Sequence, residues 1–129
     1  VRALDTNVVV RFLTNDDKRQ AEAARTAIGA ADIFVATTVL LETEWVLRSA
    51  YGFEPTRIAD SFQGLAGLPT ITVEEPQRLA RAIGWMRQGM DFADALHLAK
   101  ADDCTMFLSF DKNLAILAAT CSSMPVEEP

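Results

Sequence analysis

The feature that most constrains this chain is an alternation of short apolar runs with helix-forming segments. Residues 1–4, 33–36, 70–73, 105–109 and 124–126 are brief, rich in β-branched or aromatic side chains, and read as strands. Between them lie stretches with helical start and stop signals. Thr6 or Asn7 opens a helix to Leu13, and capping acids precede another over 16–30. Thr37 or Thr38 caps a third to about Ala50, with Val39, Leu41, Trp45, Val46 and Leu47 assigned to its buried side and Gly52 as its stop. Pro55 and Pro76 suit the first turns of two more, the second ending before Gly89. Asp91 begins a helix to about Ala101, and a last helix follows Asp111. Strands alternating with helices across short connections predict an α/β domain with a mostly parallel sheet.

With 129 residues and no linker, repeat or low-complexity block, the chain reads as a single domain over 1–129. Half of its residues are hydrophobic and 23% are charged, which excludes intrinsic disorder. No apolar run approaches the ~20 residues of a membrane helix, and Asp5 interrupts what would be the apolar core of a signal peptide. The two cysteines, Cys104 and Cys121, lack a histidine at zinc-ligand spacing and read as buried thiols in a reducing compartment, hence the cytoplasm. The net charge is −6, opposite to the usual sign of a nucleic-acid binder. From Gln88 onward there are two bases, Lys100 and Lys112, against seven acids. That surplus is either a solvated face or a set of carboxylates gathered to hold a cation.

Ligands of open α/β sheets bind at the carboxyl ends of the strands. Asp5 follows the first predicted strand and Asp111 follows the fourth. Glu42 lies about one turn into the helix after the second strand, and Asp94 one turn into the helix that opens at Asp91. If those junctions converge, four carboxylates share one crevice. Each also has a plainer reading: Asp5 and Asp111 as helix caps, and Asp91 with Asp94 as a variant capping box. Glu42 borders the assigned apolar stripe at Trp45 and Val46, whereas Glu44 is expected to face solvent. Carboxylate oxygens are hard ligands suited to Mg²⁺ or Mn²⁺, and clustered carboxylates repel until a cation joins them. This chemistry leaves the lone His97 dispensable, as a helix-face or dimer-contact residue.

The same residues resemble a known family. The opening Leu4-Asp5-Thr6-Asn7-Val8-Val9 is similar to the start of a PIN domain. Residues 39–48 with Tyr51-Gly52, then Asp91-Phe92-Ala93-Asp94-Ala95-Leu96, then Leu108-Ser109-Phe110-Asp111, resemble the later blocks of its VapC toxin branch, in family order from Leu4 to Leu114. The resemblance implies a three-layer α/β/α domain with a mostly parallel central sheet of four to five strands. It implies a Mg²⁺- or Mn²⁺-dependent endoribonuclease, the toxin of a type II toxin–antitoxin pair. Matched residue by residue, Asp5, Glu42, Asp94 and Asp111 are the catalytic and metal-site acids. Thr6 and Ser109 fall where the family often has a hydroxyl near the site, and Asn7 shapes the loop. Asn113 departs from the pattern, standing where many relatives carry a further acid, which bears on a second metal position.

As partners the resemblance implies an RNA substrate such as tRNA or another structured RNA, a VapB-type antitoxin, and a homodimer. DNA enters only through the antitoxin, and no membrane is involved. Substrate phosphates call for bases near the crevice, and Arg11, Lys18, Arg19, Arg48 and Lys112 are candidates by position. The competing reading is a PIN-fold binding module that acts through an antitoxin and operator complex.

Overall fold

The structure, a computed structural model, describes residues 1–129. The chain packs as two compact units, Val1–Pro76 and Gln77–Pro129. No helix is long and apolar enough to cross a membrane.

The first unit contains β1 (Arg2–Ala3), α1 (Thr6–Thr14), α2 (Lys18–Ala30), β2 (Ile33–Val35), α3 (Thr37–Ser49), α4 (Pro55–Ala66) and β3 (Ile71–Val73). Its sheet is parallel, in the order β1-β2-β3, with Arg2 opposite Ile33 and Ile33 opposite Ile71. The period of two is plain in β3, where Ile71 and Val73 are buried and Thr72 is exposed. Helix α1 packs on α2 and α3, and α4 packs on α3 and β3. Ile58, Phe62 and Leu65 recur at helical spacing on the buried side of α4. Burying one such side chain is worth about 1.5–3 kcal/mol. Gly52 adopts φ +67°, the left-handed conformation that lets the chain leave α3 without a Cβ penalty.

The second unit follows with α5 (Pro76–Arg87), α6 (Phe92–Lys100), β4 (Phe107–Leu108), α7 (Lys112–Cys121) and β5 (Val126–Glu127). Strands β4 and β5 pair in parallel, Phe107 opposite Val126. Arg78 and Arg81 on α5 both reach Asp102, at 2.6 and 2.7 Å, and the Trp85 indole N–H donates to the Cys121 carbonyl at 3.1 Å. These contacts tie α5 to the turn after α6 and to the end of α7. The helix–strand alternation and the parallel pairing within each sheet agree with the sequence reading, although the five strands are hydrogen-bonded as a set of three and a set of two.

Several local expectations are corrected. The fourth strand, read from the sequence as 105–109 and expected to be buried, is two residues long, and Leu108 is 59% exposed. Cys104 is exposed in the turn after α6 and Cys121 is half-buried, so neither is a core thiol. Of the residues assigned to the buried side of helix α3, Leu47 is buried and Val39, Leu41 and Val46 are half-buried, but the buried stripe centres elsewhere than expected. Thr37, Leu40, Thr43, Glu44 and Leu47 are buried, while Trp45 is 59% exposed and Glu42 is exposed. Its cap is Ala36, which has no side-chain bond to offer. Glu74, just after β3, does the work from a distance, accepting from the Thr37 N–H at 3.0 Å and its hydroxyl at 3.3 Å.

Glu44 tolerates burial because Arg48, one turn on, donates Nε–H to its Oε2 at 2.8 Å. A buried carboxylate stripped of its partner is left underhydrated and unpaired. Arg48→Ala is therefore expected to lower the unfolding free energy by about 1–3 kcal/mol, with Arg48→Lys intermediate, as urea denaturation would measure. Equal stability of Arg48→Ala and wild type would mean that water already serves Glu44.

Candidate active site

In the first unit the chain leaves β1 through Leu4 and turns at Asp5, whose extended backbone (φ −84°, ψ 162°) makes it the N-cap of α1. One carboxylate oxygen accepts from the Thr6 N–H at 2.8 Å, and the negative charge sits at the positive end of the helix dipole. Thr6 is buried, and its hydroxyl donates to Glu42 Oε1 across to α3. Asp5, Thr6, Asn7 and Glu42 line one cleft of about 390 Å³, together with Val10, Arg11, Val46 and Tyr51. Two of the four predicted acids and two of the predicted supporting residues thus meet on one surface. The exposure of Glu42 suits a ligand-facing role better than the half-buried position first assigned to it.

Arg11 closes the basic end of that cleft. Its Nη1 donates to Asp16 at 2.9 Å and to the Tyr51 hydroxyl at 3.0 Å, and its Nε donates to Gln20 at 2.7 Å. The Tyr51 hydroxyl donates in turn to Asp16 at 2.7 Å. That hydrogen bond is the largest influence holding the Asp16 carboxyl below its usual range, and the Asp16 charge raises Arg11 above its own. Tyr51 and Asp16 were missed as neighbours of the site because they reach Arg11 from residues 40 and 5 positions away, a closure with no local signal.

The second unit holds the other two acids. Asp91 caps α6, accepting from the Asp94 N–H at 3.2 Å, which is the N-cap half of the expected capping box. Asp94 stands one turn in and is half-buried. Burial, then the charges of Asp91 and Asp111, push its pKa up, and His97 opposes them weakly. Asp111 caps α7 through the Leu114 N–H at 3.0 Å, and its own N–H donates to the Ser109 hydroxyl at 3.0 Å. Asn113 and His97 are exposed.

Three of the predicted acids or their neighbours therefore serve as helix caps, which occupies one oxygen of each carboxylate and leaves the other. The donor types fit a hard divalent cation, and the mutual repulsion felt at Asp94 is what such an ion relieves. The structure does not draw three His, Cys, Asp or Glu side chains close enough together to hold a metal ion.

The PIN domain family model matches residues 2–119 of the chain. No curated protein matches it. Among solved structures, it is similar to VapC20 of Mycobacterium tuberculosis, described as a sarcin–ricin loop cleaving toxin. The TM-score is 0.44 at 18% identity, over 90% of this chain and 94% of that one.

Two outcomes follow from the geometry. An acid whose pKa is raised by folding holds its proton more tightly when folded, so stability falls as pH rises from the ordinary Asp range through the raised value, and stays lower above it. In EDTA, Asp94→Asn should melt above the wild type at pH 7, and the difference should vanish below about pH 4, where Asp is protonated in both states. Thr6→Val, which keeps the volume and removes the hydroxyl, should cost about 0.5–1.5 kcal/mol in denaturant, with Thr6→Ser close to wild type.

Proposed function

This chain belongs to the PIN domain family, and from that premise we propose that it is a Mg²⁺- or Mn²⁺-dependent endoribonuclease, the toxin of a toxin–antitoxin pair. The observation that carries this reading is the acidic cleft of the first unit, where the Thr6 hydroxyl ties the Glu42 carboxylate beside Asp5. The four ordered sequence blocks of the VapC branch support the toxin assignment. The proposed metal-site acids are Asp5, Glu42, Asp94 and Asp111, with Thr6, Asn7, Ser109 and Asn113 in support.

A bound ion of this kind supplies an acidified water and offsets charge developing on a phosphodiester. The side chains do the positioning. Capping fixes Asp5 and Asp111 on rigid helix ends, so each presents its second oxygen without loss of rotamer freedom on binding. Thr6 holds Glu42 in one orientation by donating to its carboxylate. Asp94 bears a charge disfavoured by burial and by the neighbouring Asp91 and Asp111. Hydrolysis breaks the bond between phosphorus and the 3′ oxygen, giving 5′-phosphate and 3′-hydroxyl ends as the resemblance implies.

The biological setting proposed is cytoplasmic: a homodimer held inactive by a VapB-type antitoxin that offers a basic side chain to the carboxylates, with structured RNA such as tRNA as target. DNA is reached only through the antitoxin.

The decisive experiment incubates the purified chain with total tRNA and with mixed single-stranded RNA, in Mn²⁺ or EDTA, beside Asp5→Asn and Asp94→Asn. Metal-dependent cuts are expected, reduced at least about a hundredfold in both variants, beyond the ~10–100-fold typical of outer-shell losses, with circular dichroism unchanged. Full activity in both variants would overturn the assignment of these acids. A wild type that neither cuts nor gains melting temperature with Mn²⁺ would replace the nuclease by a PIN-fold binding module.

A further inference from the structure

An acidic cleft that takes a polyanion needs a cation to hold the substrate backbone. Of the five bases placed near the site by sequence position, Arg48 is engaged by the buried Glu44. Within the first unit Arg11 is the one that lines the cleft with Asp5, Thr6 and Glu42, whereas Lys18 and Arg19 are exposed and do not line it; Lys112 belongs to the second unit. A guanidinium has five N–H donors in a fixed plane. At Arg11, Nε is given to Gln20 and Nη1 to Asp16 and Tyr51, and no hydrogen bond engages Nη2. The group is about one-third exposed. Its plane is set from two sides, and the charge of Asp16 is shared with the hydroxyls of Tyr51 and Thr14, at 2.7 and 3.1 Å.

We propose that Arg11, clamped by Asp16, Gln20 and Tyr51, grips a backbone phosphate of single-stranded RNA through its Nη2 donors. This assignment rests on the ribonuclease reading. A clamp built only to join α1 to α2 and the end of α3 would be best served by sharing all its donors, and it would have no need to face the cleft that holds the acids. With Nε and Nη1 engaged, the two Nη2 N–H groups diverge in the guanidinium plane, and each can make a single charge-assisted hydrogen bond to a phosphate oxygen. Because the guanidinium is already ordered, little rotamer freedom remains to be lost when the phosphate arrives. Tyr51 is a positioning residue in this scheme, acting through Arg11.

The test measures binding of a fluorescein-labelled single-stranded RNA to full-length Asp94→Asn protein, which does not cut it, by anisotropy across a salt series in Mg²⁺. Adding Arg11→Gln should weaken binding by about tenfold and reduce the slope of log affinity against log salt by about 0.7, the value for one phosphate contact on a single strand. Arg11→Lys keeps the charge and should retain the slope while binding a few-fold more weakly, since an ammonium cannot be held by Gln20, Asp16 and Tyr51 while still presenting free donors in a fixed plane. A purely structural role would lower the melting temperature of Arg11→Gln and leave the slope alone. Unchanged affinity and slope in folded Arg11→Gln would overturn the proposal, as would wild-type affinity in Arg11→Lys if the Gln variant does not fold. Absence of RNA binding by the Asp94→Asn parent would overturn the ribonuclease reading as well, which separates the two failures.

Discussion

Parallel strand pairing is the constraint from which the first unit follows. Strands that run the same way end at the same edge, and each must be joined to the next by a crossover helix. β2 lies between β1 and β3, and the ladder is extended beyond the strands by Leu4 N–H to the Phe34 carbonyl at 3.2 Å and Glu74 N–H to the Val35 carbonyl at 2.9 Å. Asp5, Thr37 and Glu74 therefore stand at one edge, where helix N-termini also gather. Each N-terminus brings unsatisfied N–H groups. Carboxylates are drawn to that edge for a structural reason before any catalytic one: Asp5 serves α1 and Glu74 serves α3. Once both helices are seated, Thr6 on the first meets Glu42 on the second.

Much of this was legible in the sequence because the strongest local signals agree with the fold. Asp17, Asp91 and Asp111 cap the helices they precede, and Gly52 and Gly89 end theirs at positive φ. What the sequence misassigned was the face of α3. The assigned residues Val39, Leu41, Trp45, Val46 and Leu47 are spread around the helix, and of them only Leu47 lies on the fully buried stripe, with Leu40. Counting hydrophobicity placed Trp45 inside and Glu44 outside, because the buried stripe through Leu40 and Leu47 also contains a charged residue. The Glu44–Arg48 spacing was the available signal, since a glutamate followed by arginine one turn later can enter a core edge as a pair. The cap of α3 was unreadable for another reason: Glu74 lies 37 residues from Thr37, and only the closed sheet makes them neighbours.

Position at a strand–helix junction picked out Asp5, Glu42, Asp94 and Asp111, and capping alone accounts for Asp5 and Asp111 locally. Glu42 and Asp94 are the two that capping does not explain. Glu42 is held by a long-range hydroxyl, and Asp94 is pressed by burial and by two neighbouring carboxylates. Neither property could be read from spacing, because both depend on which elements come to lie together within each unit.

The surplus of negative charge is unevenly matched, and that unevenness bears on how an acidic protein would handle a polyanion. Asp102 has Arg78 and Arg81, Asp16 has Arg11, and Glu44 has Arg48. These pairs fix turns and helices and leave little net field behind. No Lys or Arg forms an ion pair with Asp5, Glu42, Asp94 or Asp111. Arginines are therefore spent where structure needs them and withheld from the acids at the strand ends. An arginine placed against Asp94 would stabilise the fold, since it would cancel the repulsion from Asp91 and Asp111. Its absence keeps a charge there that a small divalent ion can satisfy and a protein cation would block. In the first unit Arg11 stands at the rim of the cleft, attached to Asp16 instead of to Asp5 or Glu42. A cation so placed can offset a substrate phosphate without neutralising the carboxylates beside it. Acidic net charge and RNA chemistry are thereby compatible, because what matters is which few charges face the substrate.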